Sequence, residues 1–229
     1  MSSLQLKLTF SYIVARRAEA ILAAENPAVL SSALTMLSYL EKSHPTLVEE
    51  GSHPFTECAT FADDVKGSYS WESSWHFIDT PYLDKGDSIS NYPKFSEGAY
   101  DIVGALTNLT DWLSGNGTAY KTSYYYKQIT ASFPNSNDAE SFALRFIIHF
   151  VGDIHQPLHT VAEVDSTYPS GDAGGNSEKV PSTSGVTNLH GVWDSVIYEY
   201  TGYPVLVSNF KIYRSTFISR RVRFTILNW

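Results

Sequence analysis

The stretch DAESFALRFIIHFVGDIHQPLH, Asp138–His159, decides the fold of this chain. Apolar residues recur along it at the three- and four-residue spacing of a helix that buries one face. Asn137 is placed to cap the first turn, and Pro157 ends the helix because the residue before a proline avoids helical backbone angles. The sequence therefore predicts a buried helix over Asp138–His155.

This apolar segment also carries side chains that bind metals. His149 and Asp153 are four residues apart, so both leave the same face of the helix. His159 follows the proline, and His190 and Asp194 repeat the same spacing further along the chain. Facing helices build metal sites in this way, and imidazole with carboxylate suits Zn²⁺, with Mn²⁺ or Fe²⁺ as alternatives. Two ion pairs without metal are the other interpretation, but burying these groups unpaired would cost several kcal/mol per charge.

The rest of the sequence predicts an all-α fold. Helical periodicity with start or stop signals marks four further segments: Tyr12–Ala24, Ala28–Leu40, Glu97–Leu113 and His190–Tyr200. Strand-like alternation is scarce, and no linker divides the chain. The connection Thr160–Thr187 is rich in Gly, Ser, Asp and Pro, and a loop of that length is usually functional or mobile.

Composition and charge limit the function classes. With 43% apolar and 17% charged residues, the 229-residue chain supports one substantial core. It contains no apolar run long enough to span a membrane, and its one cysteine, Cys58, cannot pair within the chain. The net charge of −8 disfavours a nucleic-acid partner, although residues 210–229 hold five basic residues and no acidic ones. Bound divalent cations would reverse the sign locally and remove that objection.

Five ordered segments carry a family resemblance: ATFADDVK at Ala59–Lys66, WHFID at Trp75–Asp79, FIIHFVGDIHQPLH at Phe146–His159, GGN at Gly174–Asn176 and NLHGVWD at Asn188–Asp194. Together they resemble the trinuclear-zinc, single-strand-specific nucleases. These are the type I nucleases and 3′-nucleotidases of the zinc phospholipase C superfamily. The resemblance implies a single mainly helical domain with a metal cluster in a cleft between helices. It places this nuclease-like domain at 1–208 and leaves 209–229 as an atypical basic segment.

The resemblance also implies roles for individual residues. One zinc would be held by Asp63, His76, His149 and Asp153, and a second by His159, His190 and Asp194. Asp63 would also orient the nucleophile, and Lys66 would contact the scissile phosphate. Phe77, Asp79 and Asn176 would bind a nucleobase. Taken singly, Lys66 also fits a surface charge and Asn176 a turn residue. His155 lies two residues from Asp153 and points to another face.

The N-terminus departs from the family pattern, in which a tryptophan and a histidine five residues later hold a third zinc bridged by the Asp153 equivalent. Val14-Ala15 matches the start of the family's first helix, which puts Leu6 and Ser11 at those positions. Neither can take the usual role. Either the chain binds two zincs, or its first ten residues come from a misplaced start or splice. These residues form no clear signal peptide, so secretion or an endomembrane or lysosomal location is expected by resemblance alone.

The expected activity is hydrolysis of phosphodiester bonds in single-stranded DNA and RNA to 5′-phosphate products, with 3′-nucleotidase activity. The alternatives are a phospholipase C-like phosphodiesterase and an inactive metal-binding member without the third zinc. The expected partners are single-stranded nucleic acid or nucleotides, with no protein partner and a monomeric state. Sequons at Asn108 and Asn116 favour a glycoprotein.

Overall fold

The structure, a computed structural model, describes residues 17–48, 53–183 and 186–199. The helices seen in these ranges are α1 at 17–25, α2 Pro27–Ser43, α3 Pro54–Glu57, α4 Phe61–Val65, α5 Ile102–Ser114, α6 Tyr124–Ser132, α7 Ser136–Asp153 and α8 Leu189–Glu199. Short 3₁₀ turns cover Ser70–His76, Ile89–Asn91, Ala119–Thr122 and Pro157–His159. No helix of the described ranges is long and apolar enough to cross a membrane.

Helix α7 is the centre of the fold. It packs against α2, α4, α5 and α6. Phe142, Phe146 and Phe150 follow one another along its buried face, with successive ring centroids 4.4 and 5.2 Å apart. Since these rings are removed from water, they contribute a large part of the apolar burial that stabilises the fold. The core therefore fixes the helix that carries His149 and Asp153.

Two small sheets lie beside the helices. Strand β1, Pro81–Tyr82, pairs in parallel with β2, Ala162–Glu163, and β3, Lys179–Thr183, pairs antiparallel with β4, Val186–Asn188. Because of the first pairing, the chain that follows residue 76 runs alongside the chain that follows residue 159. The long connection after α7 is thus tied to the 3₁₀ turn that precedes β1.

The all-α prediction is confirmed, while several boundaries are corrected. The third predicted helix begins at Ile102 instead of Glu97, because the Asp101 side chain caps it by accepting from the Gly104 N–H at 2.7 Å. Helix α7 begins earlier than predicted, since Asn135 caps it and Asn137 lies inside it. Helices α3, α4 and α6 were not predicted.

The connection 160–187 is not a structureless loop, since β2, β3 and the start of β4 lie within it. Residues Leu6, Ser11, 12–16 and 200–229 lie outside the described residues, and so does the predicted domain boundary at 208.

Candidate metal centre

Four side chains from three elements meet at the C-terminal end of α7. Asp63 comes from α4, His76 ends the turn Ser70–His76, and His149 and Asp153 are one turn apart on α7. His76 Nδ1 lies 2.8 Å from Asp153 Oδ2 and 3.2 Å from His149 Nε2. His149 Nε2 is 3.1 Å from Asp153 Oδ2 and 4.0 Å from Asp63 Oδ2. We call these four side chains the first ligand group.

The donor atoms of the first ligand group are spaced as the ligands of one cation are. A tetrahedral zinc with bonds of about 2.0–2.1 Å holds its ligands about 3.3 Å apart. The observed separations, from 2.8 to 4.0 Å, bracket that value. Two imidazoles with two carboxylates are also a donor set that zinc accepts. The Asp63 side chain is 41% exposed and that of His149 only 4%, so the group opens to solvent on the Asp63 side.

A second ligand group consists of His159, His190 and Asp194. His159 ends the 3₁₀ turn after α7, and the other two lie one turn apart on α8. His190 Nε2 is 3.5 Å from Asp194 Oδ2, and His159 Nε2 is 4.0 Å from Asp194 Oδ1. The Asp194 side chain is 49% exposed. Three protein donors beside an open side leave a position for water or substrate, as in catalytic zinc sites.

Every histidine of the two groups is fixed through the ring nitrogen that faces away from the group. His149, His159 and His190 each donate through Nδ1 to a backbone carbonyl, those of Ala59 at 2.7 Å, His76 at 2.7 Å and Gly174 at 2.8 Å. A ring that donates to a carbonyl at one nitrogen leaves a bare lone pair at the other when the imidazole is neutral. The lone pairs therefore face the ligand groups, which is the arrangement that metal-binding histidines need.

The two ligand groups are neighbours because two hydrogen bonds join the chain around His76 to the chain around His159. The Ile78 N–H donates to the His159 carbonyl at 2.8 Å, while the His159 ring donates to the His76 carbonyl. Asp153 Oδ2 is also 4.0 Å from His159 Nδ1, so this carboxylate lies on the side of the first group that faces the second. His155 lies just after the end of α7, is exposed, and hydrogen-bonds the carbonyl of Val151 in that helix.

The electrostatics of the first group favour positive charge. Burial lowers the pKa of His76, but hydrogen bonds to Asp153 and Glu72 outweigh it and raise the pKa to about 9. Burial likewise lowers the pKa of His149, and the charge of Asp153 more than reverses this. Burial raises the pKa of the Asp153 carboxyl, yet His149 and His76 hold it well below its usual range. With a pKa of about 9, the His76 ring carries a positive charge at neutral pH in the metal-free protein, where a bound cation would otherwise supply it.

A glycine turn supports His190. Asp172 is buried and accepts a hydrogen bond from the Gly175 N–H at 2.7 Å, which closes the turn. Gly174 has a φ of +60°, and a Cβ at this position would lie 2.3 Å from the Leu158 carbonyl oxygen. The His190 N–H donates to the Gly175 carbonyl and its ring to the Gly174 carbonyl. The turn thus fixes both the backbone and the ring of one metal-binding residue.

The predicted substrate residues follow metal-ligand candidates in the chain or lie on the glycine turn. Lys66 is the C-terminal cap residue of α4, one turn after Asp63. Phe77 is 36% exposed next to His76. Asp79 is partly buried, and burial together with the charge of Asp172 raises its pKa. Asn176 is exposed on the glycine turn, where its amide donates to the Ala173 carbonyl at 2.9 Å. Their contacts with substrate stay a prediction.

Three supporting residues escaped the sequence analysis. Glu72 hydrogen-bonds the ring of His76, Gln156 donates from Nε2 to Asp194 Oδ1 at 2.9 Å, and Asp172 closes the glycine turn. Glu72 had a usable signal, because it precedes His76 by the same four residues that separate His149 from Asp153. Gln156 lies between two of the histidines of its motif, but no spacing rule links it to Asp194.

The chain is similar in sequence to known nucleases. The family model for S1/P1 Nuclease matches residues 12–212. Endonuclease 2 of Arabidopsis thaliana is 34% identical over 157 residues, which are 67% of this chain and 47% of the relative. Nuclease S1 of Aspergillus oryzae is 30% identical over 166 residues, 71% of this chain and 49% of the relative. Nuclease P1 of Penicillium citrinum is 30% identical over 139 residues, 60% and 42% respectively. The chain thus spans about half the length of these curated relatives.

Proposed function

The chain belongs to the S1/P1 nuclease family, and on that premise we propose that it is a zinc-dependent endonuclease of single-stranded DNA and RNA. The observation that carries the proposal is the pair of ligand groups, which lie side by side and open to solvent at Asp63 and Asp194. We expect products with 5′-phosphates, and 3′-nucleotidase activity at the same site.

The two ligand groups account for two zinc positions. Asp63, His76, His149 and Asp153 would hold one ion, and His159, His190 and Asp194 the other. Zinc bound there would supply Lewis acidity and would lower the pKa of water to about 7, so that hydroxide is available near neutral pH. Whether a third ion binds depends on residues 1–16, which lie outside the described part of the chain.

Two residues of the chain would act on the phosphodiester, one on the attacking water and one on the phosphoryl oxygens. Asp63, at the exposed rim, accepts a hydrogen bond from the attacking water and orients it toward phosphorus. Lys66, one turn later, places positive charge where negative charge develops on the phosphoryl oxygens. The charge of Lys66, together with that of the bound cations, would act against the net charge of −8, which otherwise repels the substrate.

Base recognition explains a preference for single strands. The exposed ring of Phe77 offers a stacking surface, and only an unpaired base has a free face to stack on it. Asp79 and Asn176 add hydrogen-bonding groups for the edge of that base. A phospholipid head group has no aromatic ring to stack on Phe77, so it would be a poorer substrate.

The test is a cleavage assay on the purified chain supplied with Zn²⁺. Substrates are a single-stranded DNA and RNA oligonucleotide, the matching duplexes, and a phosphatidylcholine vesicle. We expect chelator-sensitive cleavage of the single strands and end-group analysis that finds 5′-phosphates. Asp63→Asn should abolish cleavage, while Asp64→Asn, the same change at the neighbouring exposed carboxylate, should retain it.

Three results would contradict the proposal. Cleavage of the vesicle lipid alone would favour a phospholipase C-like enzyme. Zinc binding without any cleavage would favour an inactive metal-binding member. Cleavage that persists in chelator and in Asp63→Asn would point to a contaminating nuclease.

By the same family resemblance we propose that the native protein is secreted, or resides in an endomembrane compartment or lysosome, as a monomeric glycoprotein. Asn108 lies on α5 and Asn116 is exposed just after it. A mass shift on glycosidase treatment of protein collected from the medium of eukaryotic cells would support this, and exclusively intracellular, unmodified protein would refute it.

A further inference from the structure

Glu72 is a carboxylate in an apolar core. Its side chain is fully buried, next to Trp71 and four residues before His76. Oε2 accepts a hydrogen bond from His76 Nε2 at 2.6 Å. Oε1 is buried and has no hydrogen-bond partner among the described residues. Burying a charged carboxylate is costly unless a cation or several donors compensate it, so this position calls for an explanation.

His76 differs from the other three histidines of the ligand groups. Those rings donate from Nδ1 to neutral backbone carbonyls, so their Nε2 atoms face the ligand group. His76 instead donates from Nε2 to the Glu72 carboxylate, so its Nδ1 faces the ligand group. When a cation takes the Nδ1 side, the Glu72 carboxylate would keep the remaining ring proton on Nε2, and it places a negative charge directly behind the ring.

We propose that Glu72 is a positioning residue that holds His76 as a zinc ligand, an inference that rests on the zinc site of the proposed function. An accepting carboxylate fixes the ring orientation and leaves Nδ1 bare toward Asp153 and His149. It also makes the imidazole a stronger donor to a cation. The cation on the other side of the ring would in turn lower the free-energy cost of burying the charge of Glu72.

A merely structural role for Glu72 would have a different signature. An apolar or amide side chain of similar size could fill the same buried space without burying a charge. If Glu72 only filled space, Glu72→Gln would keep the shape and the zinc affinity would not change. If the charge matters, the same variant folds but binds zinc less tightly.

The experiment measures zinc affinity by competition with a chromophoric chelator, and melting temperature of the metal-free protein by circular dichroism. The variants are Glu72→Gln, Glu72→Asp, His76→Ala and the double variant Glu72→Gln/His76→Ala. Glu97→Gln is the matched control, because it makes the same change at an exposed residue. In Glu72→Gln we expect one of the zinc sites to weaken about 10–100-fold, the usual effect of losing such a partner. The other site should bind as in the unmodified chain.

The coupling between the two residues separates the interpretations. In the His76→Ala background, Glu72→Gln should cause no further loss of zinc affinity, since its effect passes through that ring. If Glu72→Gln fails to fold, Glu72→Asp is the second variant: its shorter side chain withdraws the carboxylate from His76 Nε2, so zinc should bind less tightly, and unchanged affinity would overturn the proposal. Unchanged affinity in folded Glu72→Gln would also overturn it. An unmodified chain that binds no zinc would refute the proposed zinc site itself, which is a separate result.

Discussion

His159 and His155 belong to one short motif yet differ in what they can bind. His159 faces Asp194 across the second ligand group, whereas His155 is exposed and hydrogen-bonds the Val151 carbonyl near the end of α7. We expect His159→Ala to bind one zinc fewer per chain, measured by elemental analysis. Its activity should fall by more than about 100-fold, because losing only a residue that supports a ligand already costs 10–100-fold. His155→Ala is the matched control, and equal losses in both variants would contradict the assignment.

The pKa of His76 predicts a pH dependence. Since this pKa is raised from 6.5 to about 9 in the metal-free protein, the protonated ring stabilises the folded state. That stabilisation is complete below pH 6.5 and is lost as the pH rises through 9. Zinc needs the unprotonated ring, so its affinity should rise across the same window.

Melting curves with and without zinc test this dependence. Between pH 6.5 and 9 the metal-free melting temperature should fall and the increase caused by zinc should grow. His76→Gln, which cannot titrate, should flatten the metal-free slope. An identical slope in that variant would show that another group is responsible.

At the scale of elements, the glycine turn before β3 predicts a local effect on the second ligand group. Gly174 and Gly117 both have positive φ, but only at Gly174 would a Cβ clash, with the Leu158 carbonyl oxygen. Gly117→Ala should cost about 1–2 kcal/mol for the left-handed conformation alone. Gly174→Ala should cost a further 1–3 kcal/mol or so from overpacking, and should weaken zinc binding through His190. Denaturant unfolding and zinc titration measure both, and equal behaviour of the two variants would argue against this role of the turn.

The start of α7 gives a second prediction at this scale. Asn135 accepts hydrogen bonds from the N–H groups of Asn137 and Asp138, so Asn135→Ala should destabilise the protein by about 1 kcal/mol. Asn137 is the first choice by sequence alone but lies inside the helix, so Asn137→Ala should change stability much less. Urea unfolding of both variants measures the two losses of stability. A larger loss in Asn137→Ala would identify Asn137 as the cap residue, as the sequence alone suggests.

These elements also show how far the sequence leads. His149 and Asp153 could be assigned to one face because helical spacing is a local property. Glu72 has the same four-residue spacing from His76, but no periodic apolar pattern marks the 3₁₀ turn that carries both, so the spacing alone did not place them together. The approach of residue 78 to residue 159 also escaped, since parallel pairing depends on residues far apart in the chain.

At the scale of the whole molecule, the ligands connect parts of the chain that are distant in sequence. The first group joins α4, the turn ending at His76 and α7, and the second group joins the turn after α7 to α8. Their carboxylates are gathered in a chain whose net charge is already −8. Divalent cations bound in these groups would therefore both crosslink the elements and relieve the repulsion between their carboxylates.

Metal removal should consequently destabilise the entire fold. A ligand that binds only the folded state stabilises it by about 2.7 kcal/mol at 100 times its dissociation constant, so the melting temperature should rise with free Zn²⁺ concentration. We expect a chelator to lower the melting temperature and added Zn²⁺ to restore it. Mg²⁺ should not restore it, because it prefers oxygen ligands to imidazole. His159→Ala should retain part of the zinc response, through the first group. If neither chelator nor added Zn²⁺ changed the melting temperature, the protein core alone would hold the two ligand groups together.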